Sequence, residues 1–154
     1  GMAKKFDIRD RLGYRVQNLA NKMILWGARN YAKKFDAGVQ EWRCLTILAR
    51  SGSGTARDIC EFTMMDKGNV SRAIKKLVAE GRVKEKPDRQ DKRSTVLILT
   101  PKGNDLYQRI KQESDAREKK FLASLTAAER KALPNILTKL DGVIEDLLHE
   151  LGEA

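Results

Sequence analysis

Histidine is almost missing from this chain of 154 residues: His149 stands alone. A triad built on imidazole, or a metal site with several histidine ligands, therefore finds little support. Cysteine is scarce as well. Cys44 and Cys60 are too few for a disulfide framework. No glycine-rich phosphate loop and no paired metal-ligand spacing occurs, so neither a cofactor nor a metal nor an enzymatic constellation is expected. No apolar run reaches the roughly 18 residues of a membrane-spanning helix. No secretory leader opens the chain either, so the sequence reads as cytoplasmic with no membrane partner. Gly1 before Met2 reads as a remnant of an expression tag.

What the chain has is positive charge. Lys and Arg number 31 against 21 Asp and Glu, a formal net charge of +10. Such an excess favours a polyanionic partner and says nothing about fold. The charge is uneven: residues 67–93 hold ten basic groups against four acidic, whereas residues 101–154 hold nine against ten. On charge alone a merely solvated basic surface stays open. The apolar fraction of 41% is enough for a core, and the length suits one domain, or one domain with an elaborated dimer surface.

The apolar periodicity predicts mostly helix. Over 7–34, Leu12, Val16, Leu19, Met23, Trp26 and Asn30 recur at steps of three and four, flanked by Ala20, Ile24, Gly27 and Tyr31. So wide an apolar face needs more than one packing partner. A second helix over 39–50 is stopped by Ser51-Gly52-Ser53-Gly54. Thr55 and Asp58 form a short-armed capping box for a brief third helix, with Ile59 and Phe62 pointing inward. Thr63-Met64-Met65 is a turn. Asp66 caps a fourth helix running to about Glu80, and Gly81 ends it in the left-handed region. Two short helices across a tight turn are the helix-turn-helix signature. A two-stranded hairpin follows over 82–86 and 95–100, with a polar loop between. Thr100-Pro101 opens a fifth helix. Thr126 and Glu129 box the start of a sixth, which carries Leu133, Ile136, Leu137, Leu140, Val143, Ile144, Leu147, Leu148 and Leu151. Pro134 either kinks that helix or delays its regular start.

At 100° per residue, Val70, Ala73, Ile74, Leu77 and Val78 share one side of the fourth helix and pack. Gly68, Asn69, Ser71, Arg72, Lys75 and Lys76 share the other, with Lys67 at its start. Asn pairs bidentately with adenine and Arg with guanine. Ser71 serves base or phosphate, while Lys75 and Lys76 lie where phosphates flank a groove. Gly68 lets backbone N–H groups approach a phosphate. An ordinary Lys-rich surface helix is the alternative. The loop Asp88-Arg89-Gln90-Asp91-Lys92-Arg93 alternates acids with bases. One account is that Asp91 grips the Arg93 guanidinium bidentately and presets it for a minor groove. Arg89, Lys92 and Arg93 are the basic contacts of this wing, and Thr55 supports the helix pair at the DNA.

With these motifs in place the chain resembles the MarR family of bacterial transcriptional regulators. The resemblance rests on Glu41-Trp42-Arg43-Cys44-Leu45, Asp66 to Arg72, Glu80-Gly81-Arg82-Val83, Asp88 to Ser94 and Leu99-Thr100-Pro101-Lys102-Gly103. It implies a mainly α (α+β) fold, a winged helix-turn-helix whose N- and C-terminal helices form a dimerisation domain. The expected division is a dimerisation helix over 7–36, a DNA-binding domain over 37–101, and helices over 102–152 that return to the dimer. The resemblance further implies a homodimer on double-stranded DNA, reading a pseudo-palindrome, and a repressor released by a small anionic or phenolic effector. Ala37 and Gly38 depart from the family's usual Leu followed by Ser or Thr, and Arg82 replaces an apolar residue. The reactive cysteine that the peroxide-sensing branch carries near the start of the first helix is missing. Trp26 and Tyr31 are candidates to stack on a ligand, against plain core or dimer packing. Two alternatives are a thiol-based redox regulator using Cys44 or Cys60, against buried structural thiols, and an architectural DNA-binding protein with no effector.

Overall fold

The computed structural model describes residues 4–152, so Gly1 and Met2 lie outside the described residues. The expected first helix resolves into two pieces. A 3-10 turn spans Ile8–Asp10, and after an extended Arg11 the helix α1 runs Leu12–Phe35. Asp7 caps the short turn: its carboxylate accepts the Arg9 backbone N–H at 2.9 Å and also holds the Arg9 guanidinium. Such local bonds compete with a continuous helix.

Asp36, in the left-handed region at φ 51°, ends α1, and α2 spans Val39–Ser51. Helix α3 spans Ala56–Thr63, with both bonds of the Thr55–Asp58 capping box present. The helix pair closes with α4, Lys67–Ala79, capped by Asp66. Phe62 does not point inward as expected. It is 59% exposed with the Arg50 guanidinium 4.7 Å above its ring. The inward position one turn after Ile59 belongs to Thr63, whose hydroxyl donates to the Ile59 carbonyl at 2.6 Å.

The sheet has three strands rather than two. β1 is Ser53–Gly54, β2 is Val83–Pro87 and β3 is Thr95–Leu99, in the antiparallel order β1-β3-β2. The segment read only as a helix stop leaves the left-handed Gly52 and pairs Ser53 with Ile98. Two residues are too short for any periodicity to announce a strand. Around this sheet, Leu45, Leu48, Ile59, Val70, Leu77, Val83, Leu97, Leu106 and Ile110 form the buried core.

Helix α5 spans Pro101–Ala123, and its root is keyed to the end of α4. The Thr100 hydroxyl accepts the Gly103 N–H at 3.1 Å and donates to the Gly81 carbonyl at 2.7 Å. A Cβ at Gly103 would stand 1.9 Å from the Arg82 carbonyl oxygen, so only glycine fits there. The chain divides into two compact units, Gly1–Lys111 and Gln112–Ala154. In the second, α6 runs Ala127–Glu150 from the expected capping box, and it starts well before Pro134, which therefore does not delay it. No residue of α6 is buried.

Candidate nucleic-acid interface

Helix α4 buries Val70, Ala73, Ile74 and Leu77 against the core, with Val78 half-buried. Val70, Ile74 and Leu77 each contribute on the order of 1.5–3 kcal/mol when fully buried, so the opposite face is firmly held outward. Lys67, Gly68, Ser71, Arg72 and Lys75 are exposed and Asn69 is half-buried. A concave surface between α3, α4 and the sheet gathers Thr55, Lys67, Gly68, Ser71, Lys75 and Arg93 over an apolar floor of Val70, Ile74 and Leu97. Residues far apart in sequence thus meet around one groove.

Asn69 and Arg72 are ordered before any partner arrives. Asp66 Oδ1 accepts the Asn69 backbone N–H at 2.8 Å, and Oδ2 accepts the Asn69 Nδ2 at 2.7 Å. Asn69 Oδ1 in turn accepts Arg72 Nη2 at 2.6 Å. One capping carboxylate therefore seats both side chains, which lowers the entropy lost on binding. Gly68 makes room for this chain: a Cβ there would lie 3.2 Å from both Arg72 Nη1 and Asp66 Oδ1.

Lys76 departs from the expected outward set. Its ammonium lies 3.1 Å from Glu41 Oε1 and donates to the Asp36 carbonyl at 3.1 Å. Burial pulls its pKa down, but the Glu41 bond and charge outweigh this and hold it above the ordinary lysine value.

The wing also differs in detail. Asp91 does not grip the Arg93 guanidinium. Its Oδ1 accepts the Arg93 backbone N–H at 3.0 Å, while its carbonyl accepts the Ser94 N–H at 3.0 Å. Asp88 repeats the device on the Gln90 N–H at 3.0 Å. The acids shape the turn, each carboxylate accepting the backbone N–H two residues on. Arg89, Lys92 and Arg93 remain exposed.

Sequence reasoning singled out the Glu41 to Leu45 run without assigning its parts. Glu41 meets Lys76, and the Arg43 guanidinium donates to the Thr63 carbonyl at 2.8 Å, closing the end of α3. Trp42 stacks on Tyr107 at 5.5 Å, and Cys44 and Leu45 are fully buried. The signal available was a charged residue at each edge of an apolar helix.

Of the ligand candidates, Tyr31 is 1% exposed and packs among Trp26, Phe35 and Trp42 with ring centroids at 5.8, 6.4 and 6.3 Å. It is a core residue. Trp26 is partly exposed beside Lys22, Arg29 and Lys33 in a shallow groove on α1. Burial, with the Glu41 charge adding, pushes the Cys44 thiol up to about 12. Cys60 is half-buried and lines the concave surface. His149 is exposed in the last turn of α6. Among the described residues no group of three metal-ligating side chains occurs, and no helix is long and apolar enough to cross a membrane.

A family model described as the MarR family matches residues 36–94, the segment that holds α2, α3, α4 and the wing. An uncharacterized HTH-type transcriptional regulator of Bacillus subtilis, YdgJ, is 28% identical over 118 residues, covering 74% of this chain and 72% of that protein. The crystal structure of a MarR/EmrR family transcriptional regulator from Acinetobacter superposes with a TM-score of 0.83 at 29% identity, covering 92% of this chain and 99% of that one. A structure of Bordetella bronchiseptica BpsR, whose DNA binding is regulated by 6-hydroxynicotinic acid, shares the fold with a TM-score of 0.78 at 19% identity, covering 90% and 98%.

Proposed function

We infer that the chain belongs to the MarR family of transcriptional regulators, a reading that the family match and the relatives support, and from that premise we propose that it represses transcription as a homodimer on a pseudo-palindromic operator. The single observation that carries the reading is the groove that gathers Thr55, Lys67, Ser71, Lys75 and Arg93 beside the seated pair Asn69 and Arg72. Asn69, Ser71 and Arg72 read base edges in the major groove. Lys67, Lys75 and the N–H groups near Gly68 hold phosphates. Arg93, with Arg89 and Lys92, reaches the backbone or the adjacent minor groove from the wing.

The dimer half of the proposal is supported by exposed apolar side chains. Leu12, Val16 and Leu19 on α1, and Ile136, Val143, Ile144 and Leu147 on α6, are each about half exposed. Patches of this kind mark protein interfaces. Segments 7–36 and 102–152 would supply the dimer and 37–101 the reader, in the cytoplasm where the chromosome is. By analogy with BpsR, a small anionic aromatic acid is the proposed effector. Tyr31, being sealed in the core, is excluded from its first contacts, and the partly exposed Trp26 is retained.

The test is recovery of bound genomic fragments, then affinity for the recovered site across a salt series. Expected is tight, sequence-dependent binding that falls steeply with salt and weakens on adding aromatic carboxylates. Equal affinity for scrambled duplexes would refute the operator reading, and no response to any effector would favour a constitutive architectural role.

A further inference from the structure

Lys76 stands on the fourth helix where a phosphate contact is expected, yet its ammonium is already engaged. We propose that Glu41, Lys76 and the Asp36 carbonyl form a latch that sets the rotation of α4 on the DNA-binding unit, so that Lys76 is a positioning residue and not a phosphate contact. The inference rests on the DNA-reading role proposed for α4.

The Glu41 side chain is only 11% exposed. A carboxylate so far removed from water requires a partner, and taking one member of such a pair away costs more than the pair itself contributes. Lys76 supplies that partner at 3.1 Å and spends a second N–H on the Asp36 carbonyl, also at 3.1 Å. Its third N–H is unspent and the side chain is 40% exposed, so it is carrying the ammonium out to a phosphate, not a bond from where it sits, that would break both contacts.

Two local irregularities fall into place with this pair. Gly38, the residue before α2, offers it no side-chain cap. A Cβ on Gly38 would lie 2.8 Å from Glu41 Oε2, so a better capping residue would displace the carboxylate. Asp36 adopts φ 51°, an uncommon conformation for a residue with a side chain. Its carbonyl, at that corner, receives Lys76. Poor local choices that agree with one tertiary contact indicate that the contact matters.

The latch lies beside the readers. Gln40, Glu41, Asn69, Arg72 and Lys76 line one narrow groove, and Lys76 follows Arg72 by about one helical turn. Pinning Lys76 therefore fixes the direction in which Asn69 and Arg72 face. Because Asp36 closes α1, the same contact ties the end of α1 to the reading helix.

The experiment compares Glu41→Gln, Lys76→Met and the double variant with the unaltered protein. Affinity for the recovered operator and for a scrambled duplex is measured across a salt series. Each single variant is expected to lose about tenfold on the operator, with the scrambled duplex little changed. The salt slope of Lys76→Met should stay within about half a unit of the original. The double variant should be no weaker than the weaker single one. A Lys76→Met slope lower by about 1 on both duplexes, with Glu41→Gln silent, would overturn the latch, as would additive losses. Amide exchange over 67–79 on the same proteins separates the two readings. Faster exchange, equal in both single variants, supports the latch, and unchanged exchange overturns it. Failure of the unaltered protein to bind any duplex would count against the DNA reading, and the exchange comparison would still decide the latch.

Discussion

Helices α4 and α6 carry similar apolar spacing and meet opposite fates within the chain. Helix α4 buries Val70, Ala73, Ile74 and Leu77. Helix α6 buries nothing, and Leu133, Ile136, Leu137, Val143, Ile144, Leu147 and Leu148 are 38–57% exposed. The first helix is completed by its own chain, so its polar face can be held in one orientation. The second has an apolar face that its own chain leaves in water, which is costly unless something covers it. The contrast supports the proposed reading role of one region and the proposed pairing role of the other.

The largest effect should come from spoiling the uncovered face. Ile144→Glu with Leu147→Glu is expected to convert a dimer into a monomer in sedimentation and to lower operator affinity by about a hundredfold or more, because the second half-site no longer benefits from linkage. An unchanged sedimentation coefficient would break the comparison. Next is Gly103→Ala, which drives a Cβ to within 1.9 Å of the Arg82 carbonyl. Overpacking of this kind costs about 1–3 kcal/mol, or more where backbone must move, and thermal melting should fall by several degrees.

Asp66→Ala removes the cap of α4 and the seat of Asn69 and Arg72 together. A stability loss of about 1 kcal/mol is expected, with a larger fractional drop in operator than in scrambled-duplex affinity. Arg93→Ala should reduce the salt slope by about 1 if it meets a phosphate, leaving melting unchanged. The smallest effect concerns Cys44. With its thiol moved from an ordinary 9.0 up to about 12 by burial, iodoacetamide at neutral pH should label Cys60 and spare Cys44. The folded state keeps that proton longer than the unfolded chain does. The associated stability is therefore full below pH 9.0 and is lost as pH rises towards about 12.

The elements that a local rule determines were legible in the sequence. The capping boxes at Thr55 and Thr126, the Asp66 cap, the left-handed Gly81 and the packed face of α4 all follow from spacing and side-chain chemistry. Most of what escaped depends on neighbours distant in sequence. Strand β1 is two residues paired to Ile98 and Leu97, and no pattern so short is readable. Phe62 and Thr63 compete for one inward position, and only the tertiary packing decides between them. Lys76 has the address of a surface lysine until Glu41 is brought to it across the fold. Asp91 has the spacing of a brace for the Arg93 guanidinium, but its partner is the Arg93 backbone rather than its side chain.

The division into a reading region and a pairing region is tested most directly by footprinting the protein on a recovered genomic fragment while the number of bound chains is counted. Two chains per site are predicted, protecting two symmetric half-sites spaced about one DNA turn apart, roughly 10–10.5 base pairs or a multiple. A single chain protecting one asymmetric segment with full affinity would contradict the account.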